Sequence, residues 1–172
     1  MTAEWMGERS IVGRWDNAVI AAAILAAVAL DALPARAQPL SVAELGRYSI
    51  QIETGDAAER AAAADILGRR CATQRDEVVP LLVARLRNDR DWRVRASSGR
   101  AIGRLAARDA VPSLVRALRD PVVDVRVVAA AALWRLPDPA AVEPLLELLR
   151  DPEAAARQWA ALALGVIRDR RA

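Results

Sequence analysis

The residues best equipped for chemistry in this 172-residue chain are its arginines, its aspartates and a single cysteine, Cys71. There is no His and no Lys, so all 25 basic residues are Arg. Without His, an ordinary Ser or Cys triad has no general base, and without Lys there is neither a phosphate-loop cation nor a Schiff base. Cys71 follows Arg69 and Arg70, which would lower a thiol pKa, but it has no His partner and cannot form an internal disulfide. Its expected role is that of a small, part-buried filler. Asp89 and Asp91 in NDRDW lack the glycine and the remaining oxygen ligands of a calcium loop. Asp76 and Glu77, adjacent in sequence, project in different directions on a helix and suit capping. The expectation is a protein with no catalytic residue, no metal and no cofactor.

What the aspartates and arginines do have is spacing. Asp89, Asp120 and Asp151 stand 31 residues apart, and six residues after each comes an arginine: Arg95, Arg126 and Arg157. Behind them Ile102, Leu133 and Leu164 are equivalent, as are Gly103, Trp134 and Gly165. A more divergent copy precedes these, with Arg60, Leu67 and Gly68 in the same roles at an offset of 35. The period marks an array of one supersecondary unit.

The elements that carry these residues follow from hydrophobic periodicity. Val94, Ser98, Ala101, Ile102 and Leu105 recur at helical spacing, and the next unit repeats them as Val125, Ala129, Ala132, Leu133 and Leu136. A second helix follows in each unit: Val79, Leu82, Val83 and Leu86, then Val111, Leu114, Val115 and Leu118, then Val142, Leu145, Leu146 and Leu149. Each unit is thus a helical hairpin. In the turns, Asp120 before Pro121, Asp151 before Pro152 and Asp138 before Pro139 predict N-cap carboxylates followed by proline at the first helical position. Arg87, Arg119 and Arg150 close the second helices, where a cation suits the helix dipole. The predicted fold class is all-α, an α-solenoid of stacked helical hairpins with about seven helices.

With the pattern D-(x)4-VR-(x)2-A-(x)2-AL-G, written here as DRDWRVRASSGRAIG and DPVVDVRVVAAAALW, the chain resembles the HEAT repeat, particularly the short variety of the phycobilin lyases. The likeness covers about residues 56 to 169. Departures are Trp134 where that family has Gly, Glu59 where it has Val, and a longer turn at RRCATQRDEV. The resemblance implies that Asp89, Arg95, Asp120, Arg126, Asp151 and Arg157 form a structural ladder between neighbouring units. Arg126 would then lay its stem along the stack while its fork binds carbonyls or a carboxylate near a repeat turn.

Domain organisation follows. Residues 18 to 30 are an unbroken apolar run of 13, preceded by Arg9 and Arg14 and followed by the small-x-small site Ala35-Arg36-Ala37. That run spans about 20 Å as a helix, short of the roughly 20 residues that a bilayer core needs. Residues 1–37 therefore read as a cleaved signal peptide; an uncleaved N-terminal membrane anchor and a buried helix are the alternatives. Residues 38–55 read as a capping helix opened by the capping box Ser41 to Glu44. Residues 56–172 hold the repeats, divided as 56–88, 89–119, 120–150 and a partial 151–172.

The remaining surface suggests partners. The unit 89–119 carries eight arginines against three aspartates, and Arg93, Arg100 and Arg104, with Arg108 just beyond, oppose the apolar stripe. This is a candidate basic binding face, or else the solvated side of a helix in an Arg-rich chain. The net charge of +3 is modest and no aromatics interleave with the arginines, which argues against nucleic acid. In the last helix the outward positions become Trp159, Leu162 and Val166, a candidate docking edge for another protein or a second copy, unless neighbouring helices cover Trp159. The expectation is an exported, periplasmic or secreted, non-catalytic protein-binding or assembly scaffold. The alternatives are an accessory, lyase-like subunit holding a protein substrate, and a membrane-tethered scaffold.

Overall fold

The computed structural model describes residues 39–168, so the signal-like segment 1–37 lies outside the described residues. Among the described residues there are eight α-helices and no strand: α1 (Val42–Thr54), α2 (Ala57–Arg70), α3 (Arg75–Asn88), α4 (Trp92–Arg104), α5 (Val111–Ala117), α6 (Val123–Arg135), α7 (Val142–Leu148) and α8 (Ala154–Arg168). Short 3-10 turns, Arg108–Ala110 and Pro139–Ala141, lead into α5 and α7. About seven helices were expected and eight are described, the expected capping helix among them.

The first helices of the hairpins, α2, α4, α6 and α8, pack one on the next in a row, and each second helix lies against the first helix of the following unit. α1 packs on α2 and more lightly on α3, as α3 does on α4 and α5. It therefore occupies the place of a second helix in a preceding hairpin, a more specific position than that of a cap. Both flanking signals for it are met: Ser41 Oγ accepts from Glu44 N at 3.3 Å and Glu44 Oε2 accepts from Ser41 N at 3.0 Å.

The stripe residues form the core in successive equivalent layers. Leu67, Ile102, Leu133 and Leu164 are all buried, as are Ala63, Ser98, Ala129 and Ala160 one turn earlier. Each buried Leu or Ile contributes about 1.5–3 kcal/mol of hydrophobic stabilisation. Close packing within the row depends on small residues. A Cβ on Gly68 would lie 2.5 Å from Ala101 Cα, and one on Gly103 would lie 3.0 Å from Ala132 Cβ. Where this series reaches Trp134 the indole cannot enter the contact; it turns outward and meets Trp159 edge-on, ring centroids 6.2 Å apart.

The departures in the first unit have local causes. Glu59 closes a capping box with Asp56, whose Oδ1 accepts from Glu59 N at 2.8 Å. The longer turn after α2 lets Gln74 donate from Nε2 to Leu40 O at 2.9 Å, tying down the chain ahead of α1. Cys71 caps α2 in full burial, which pushes its thiol pKa up despite Arg70, so the filler reading holds.

One expectation about the turns is corrected. Asp120 and Asp151 are not N-caps: α6 and α8 begin at Val123 and Ala154, and the N-cap of α6 is Val122. Each aspartate instead accepts from the backbone N–H two residues on, Val122 at 2.9 Å and Glu153 at 3.0 Å, closing a turn before the helix. That leaves both carboxylate oxygens oriented toward an arginine. Asp138 behaves as expected, capping the 3-10 turn through Ala140 N at 2.8 Å.

Candidate functional site

The periodic Asp and Arg residues form a continuous ladder. Arg126 donates from Nε to Asp151 Oδ2 at 2.6 Å and from Nη2 to Asp151 Oδ1 at 3.0 Å, a bidentate pair with the next unit. Its third nitrogen, Nη1, donates to the carbonyls of Asp120 and Pro121 at 2.9 and 3.2 Å in its own unit. Arg95 repeats this toward Asp120 at 2.7 and 2.9 Å, and Arg60 toward Asp89 at 2.8 Å twice. These pairs are largely buried, so the fork of each arginine pins two turns at once.

The charges respond accordingly. The hydrogen bond from Arg126 holds the Asp151 carboxyl below the usual carboxylate range. Burial pushes the Asp89 carboxyl up, but the Arg60 hydrogen bond and the Asp91 N–H outweigh it and leave it lowered. Arg157 ends the ladder. Its Nη1 donates to the carbonyls of Asp151 and Pro152 at 2.7 Å each, and it has no carboxylate partner among the described residues.

The arginines of the basic face diverge in their engagement. Arg93 lies over the Trp92 ring at 5.2 Å and 3.6 Å from Asp91. Arg104 reaches across to Asp65 on α2. Among the described residues Arg100 finds only Ser97 Oγ, at 3.4 Å, and Arg108 is exposed in the turn before α5. The docking edge is likewise divided: Trp159 is half-buried against Trp134, Val166 is half-buried, and Leu162 is exposed.

Two of these groups nevertheless converge. Arg100 and Arg104 of α4 and Trp159 of α8 line one groove of about 320 Å³, together with the small and apolar residues of α4 and α6 and with Trp134 and Arg135. Trp134 and Arg135 were not singled out as site residues. Their signal was the break in the glycine series at 134, which displaces an indole onto the surface. The groove offers an apolar lining, two indoles, and in Arg100 and Arg135 two guanidiniums with no carboxylate partner among the described residues. Such a surface can hold apolar side chains beside carboxylates. It contains no nucleophile with an adjacent base.

Stacked helical hairpins joined by an internal Arg–Asp ladder define an α-helical repeat protein. The family model for HEAT repeats matches residues 49–127 and 113–172. The chain belongs to the HEAT repeat family. Among solved structures it is similar to the complex of CpcE and CpcF of phycocyanin lyase from Nostoc sp. PCC7120, at 27% identity and a TM-score of 0.66. The likeness covers 79% of this chain and 57% of that one, so this chain spans little more than half the length of its structural relative. No curated protein matches the chain.

Proposed function

We propose that this chain is a non-catalytic protein-binding module that holds an acidic, apolar partner segment in the groove between α4, α6 and α8. The observation that carries this reading is the pairing of Arg100 and Arg135, two guanidiniums with no carboxylate partner among the described residues, with the Trp134–Trp159 pair. The structural relative is itself a complex of two lyase subunits, which supports a protein partner. Nucleic acid fits less well, since the arginines here border an apolar lining instead of a stacking platform. The test is a tryptophan-fluorescence titration with a helical peptide alternating Glu and Leu. Saturable binding that weakens at least tenfold in Arg100→Glu/Arg135→Glu supports the groove; binding indifferent to that change overturns it.

A second reading, an accessory lyase-like subunit that holds a protein substrate while chemistry occurs elsewhere, is favoured by the likeness to phycocyanin lyase. A new absorbance band after exposure of the purified protein to a tetrapyrrole would favour it over simple protein binding. Export to the periplasm or beyond, with cleavage after Ala37, is the localisation we propose from the 18–30 run. N-terminal sequencing decides it: Gln38 as first residue supports export, and an intact Met1 in membranes supports the tethered scaffold.

A further inference from the structure

We propose that copies of this chain stack head to tail, α1 and α2 of one copy continuing the array beyond α8 of another. Three features of the α8 edge match what earlier units use to receive their successor. After the interruption at Trp134, Gly165 returns to the glycine of Gly68 and Gly103, where the next helix approaches too closely for a Cβ, yet nothing lies within 4 Å of a Cβ placed at 165. Arg157 keeps both carbonyl bonds of a ladder arginine but lacks the carboxylate that Arg60, Arg95 and Arg126 receive from the following turn. Between α7 and α8 runs an apolar groove of about 510 Å³ lined by Val142, Leu146, Leu149, Ala161, Leu164 and Gly165 among others. One unit earlier Val111, Leu118 and Ala130 are buried and Val115 is half-buried, whereas their counterparts Val142 and Leu149 are half-buried, Ala161 is exposed and Leu146 is 43% exposed.

The missing layer is a second helix, an acidic turn and a first helix, in that order. Among the described residues the array begins with those elements: α1 in a second-helix position, the turn at residues 54–56, then α2. On α1, Val42 is 86% and Ile50 64% exposed, the two most exposed large hydrophobic side chains described. The ladder register puts Thr54 where later units have Asp, but Glu53 and Asp56 stand on either side of it, and neither carboxylate has a cationic partner within 4 Å among the described residues, so the turn offers Arg157 negative charge. An α8 edge receiving an α1 edge is a heterologous contact, which builds a filament, or a ring where its rotation closes. The inference is independent of the groove between α4, α6 and α8, because Trp159 lies on the opposite flank of α8 from Ala161 and Gly165.

Sedimentation velocity on the full chain, over a hundredfold range of concentration, tests it with two variants at exposed positions, Ile50→Arg and Gly165→Arg. The wild type is expected to form dimers and larger species as concentration rises. Each variant alone is expected to self-associate at least tenfold more weakly, while an equimolar mixture forms one-to-one dimers and nothing larger, each partner supplying its intact end. Circular dichroism confirms that both variants are folded. A wild type that stays monomeric throughout, or variants that assemble as the wild type does, overturns the proposal. Trp159→Ala should leave assembly unchanged, which separates this surface from the peptide-binding groove.

Discussion

Arg60, Arg95 and Arg126 each use three nitrogens of a planar fork, two on a carboxylate in the next unit and one on backbone carbonyl oxygen at the start of their own. Lysine, a point charge on a flexible stem, could not make this arrangement, so the position requires arginine for its geometry as well as its charge. The spacing showed which residues recur, and the family resemblance implied a ladder, but not that Arg95 and Arg126 pass over the aspartate six residues before them to reach the one 25 ahead, as Arg60 reaches Asp89, 29 ahead. That choice depends on how far apart stacked helices lie, which spacing along a chain does not report. The lowered carboxyl pKa values of Asp89 and Asp151 make the ladder sensitive to acid. Their folded values lie below the unfolded value of about 3.9, so their stabilisation is full above that pH and is lost as pH falls through the folded values. Thermal melts should show the transition temperature dropping between pH 5 and pH 2.5, with a smaller drop in Asp151→Asn, which has already lost its share.

Among the elements, the first-helix row is held by residues too small to be noticed as core. Gly68 meets the Cα of Ala101, a backbone atom that cannot move aside without shifting α4. Gly68→Ala should therefore cost about 1–3 kcal/mol through overpacking. Gly165, at the equivalent place in α8, faces open space, so in dilute protein Gly165→Ala should instead stabilise the helix by about 1 kcal/mol. Urea denaturation of the two variants checks the opposite signs. Helix period and turn residues made the hairpins legible, since one apolar stripe per helix leaves few other ways to bury it. The helix starts were less so: Asp120 and Asp151 read as N-caps in sequence because a cap and a turn-closing aspartate look alike until the arginine partner is in place.

For the molecule as a whole, the inner layers of the described array are completed by their neighbours: Leu133 of α6 is buried, and α6 packs on helices of the units on either side. Coupling through shared layers and through the ladder should make a short array unfold together. Leu133→Ala is expected to cost about 3 kcal/mol, and the loss should appear as one shifted urea transition whether followed by circular dichroism or by tryptophan fluorescence. Two separated transitions would show that the units melt independently.

By itself the sequence determined the all-helical repeat, the identity of the stacked layers, and the ladder residues, because a hydrophobic stripe and a 31-residue period are local facts written along the chain. Tertiary structure alone decided the rest. It paired each arginine with a particular aspartate, turned Trp134 outward to build a groove with Trp159 and the arginines of α4, and placed α1 as the second helix of a preceding hairpin. The physical reason is that each of these depends on the distance and facing of helices from different units, and those are fixed only when side chains of unlike size must share one layer.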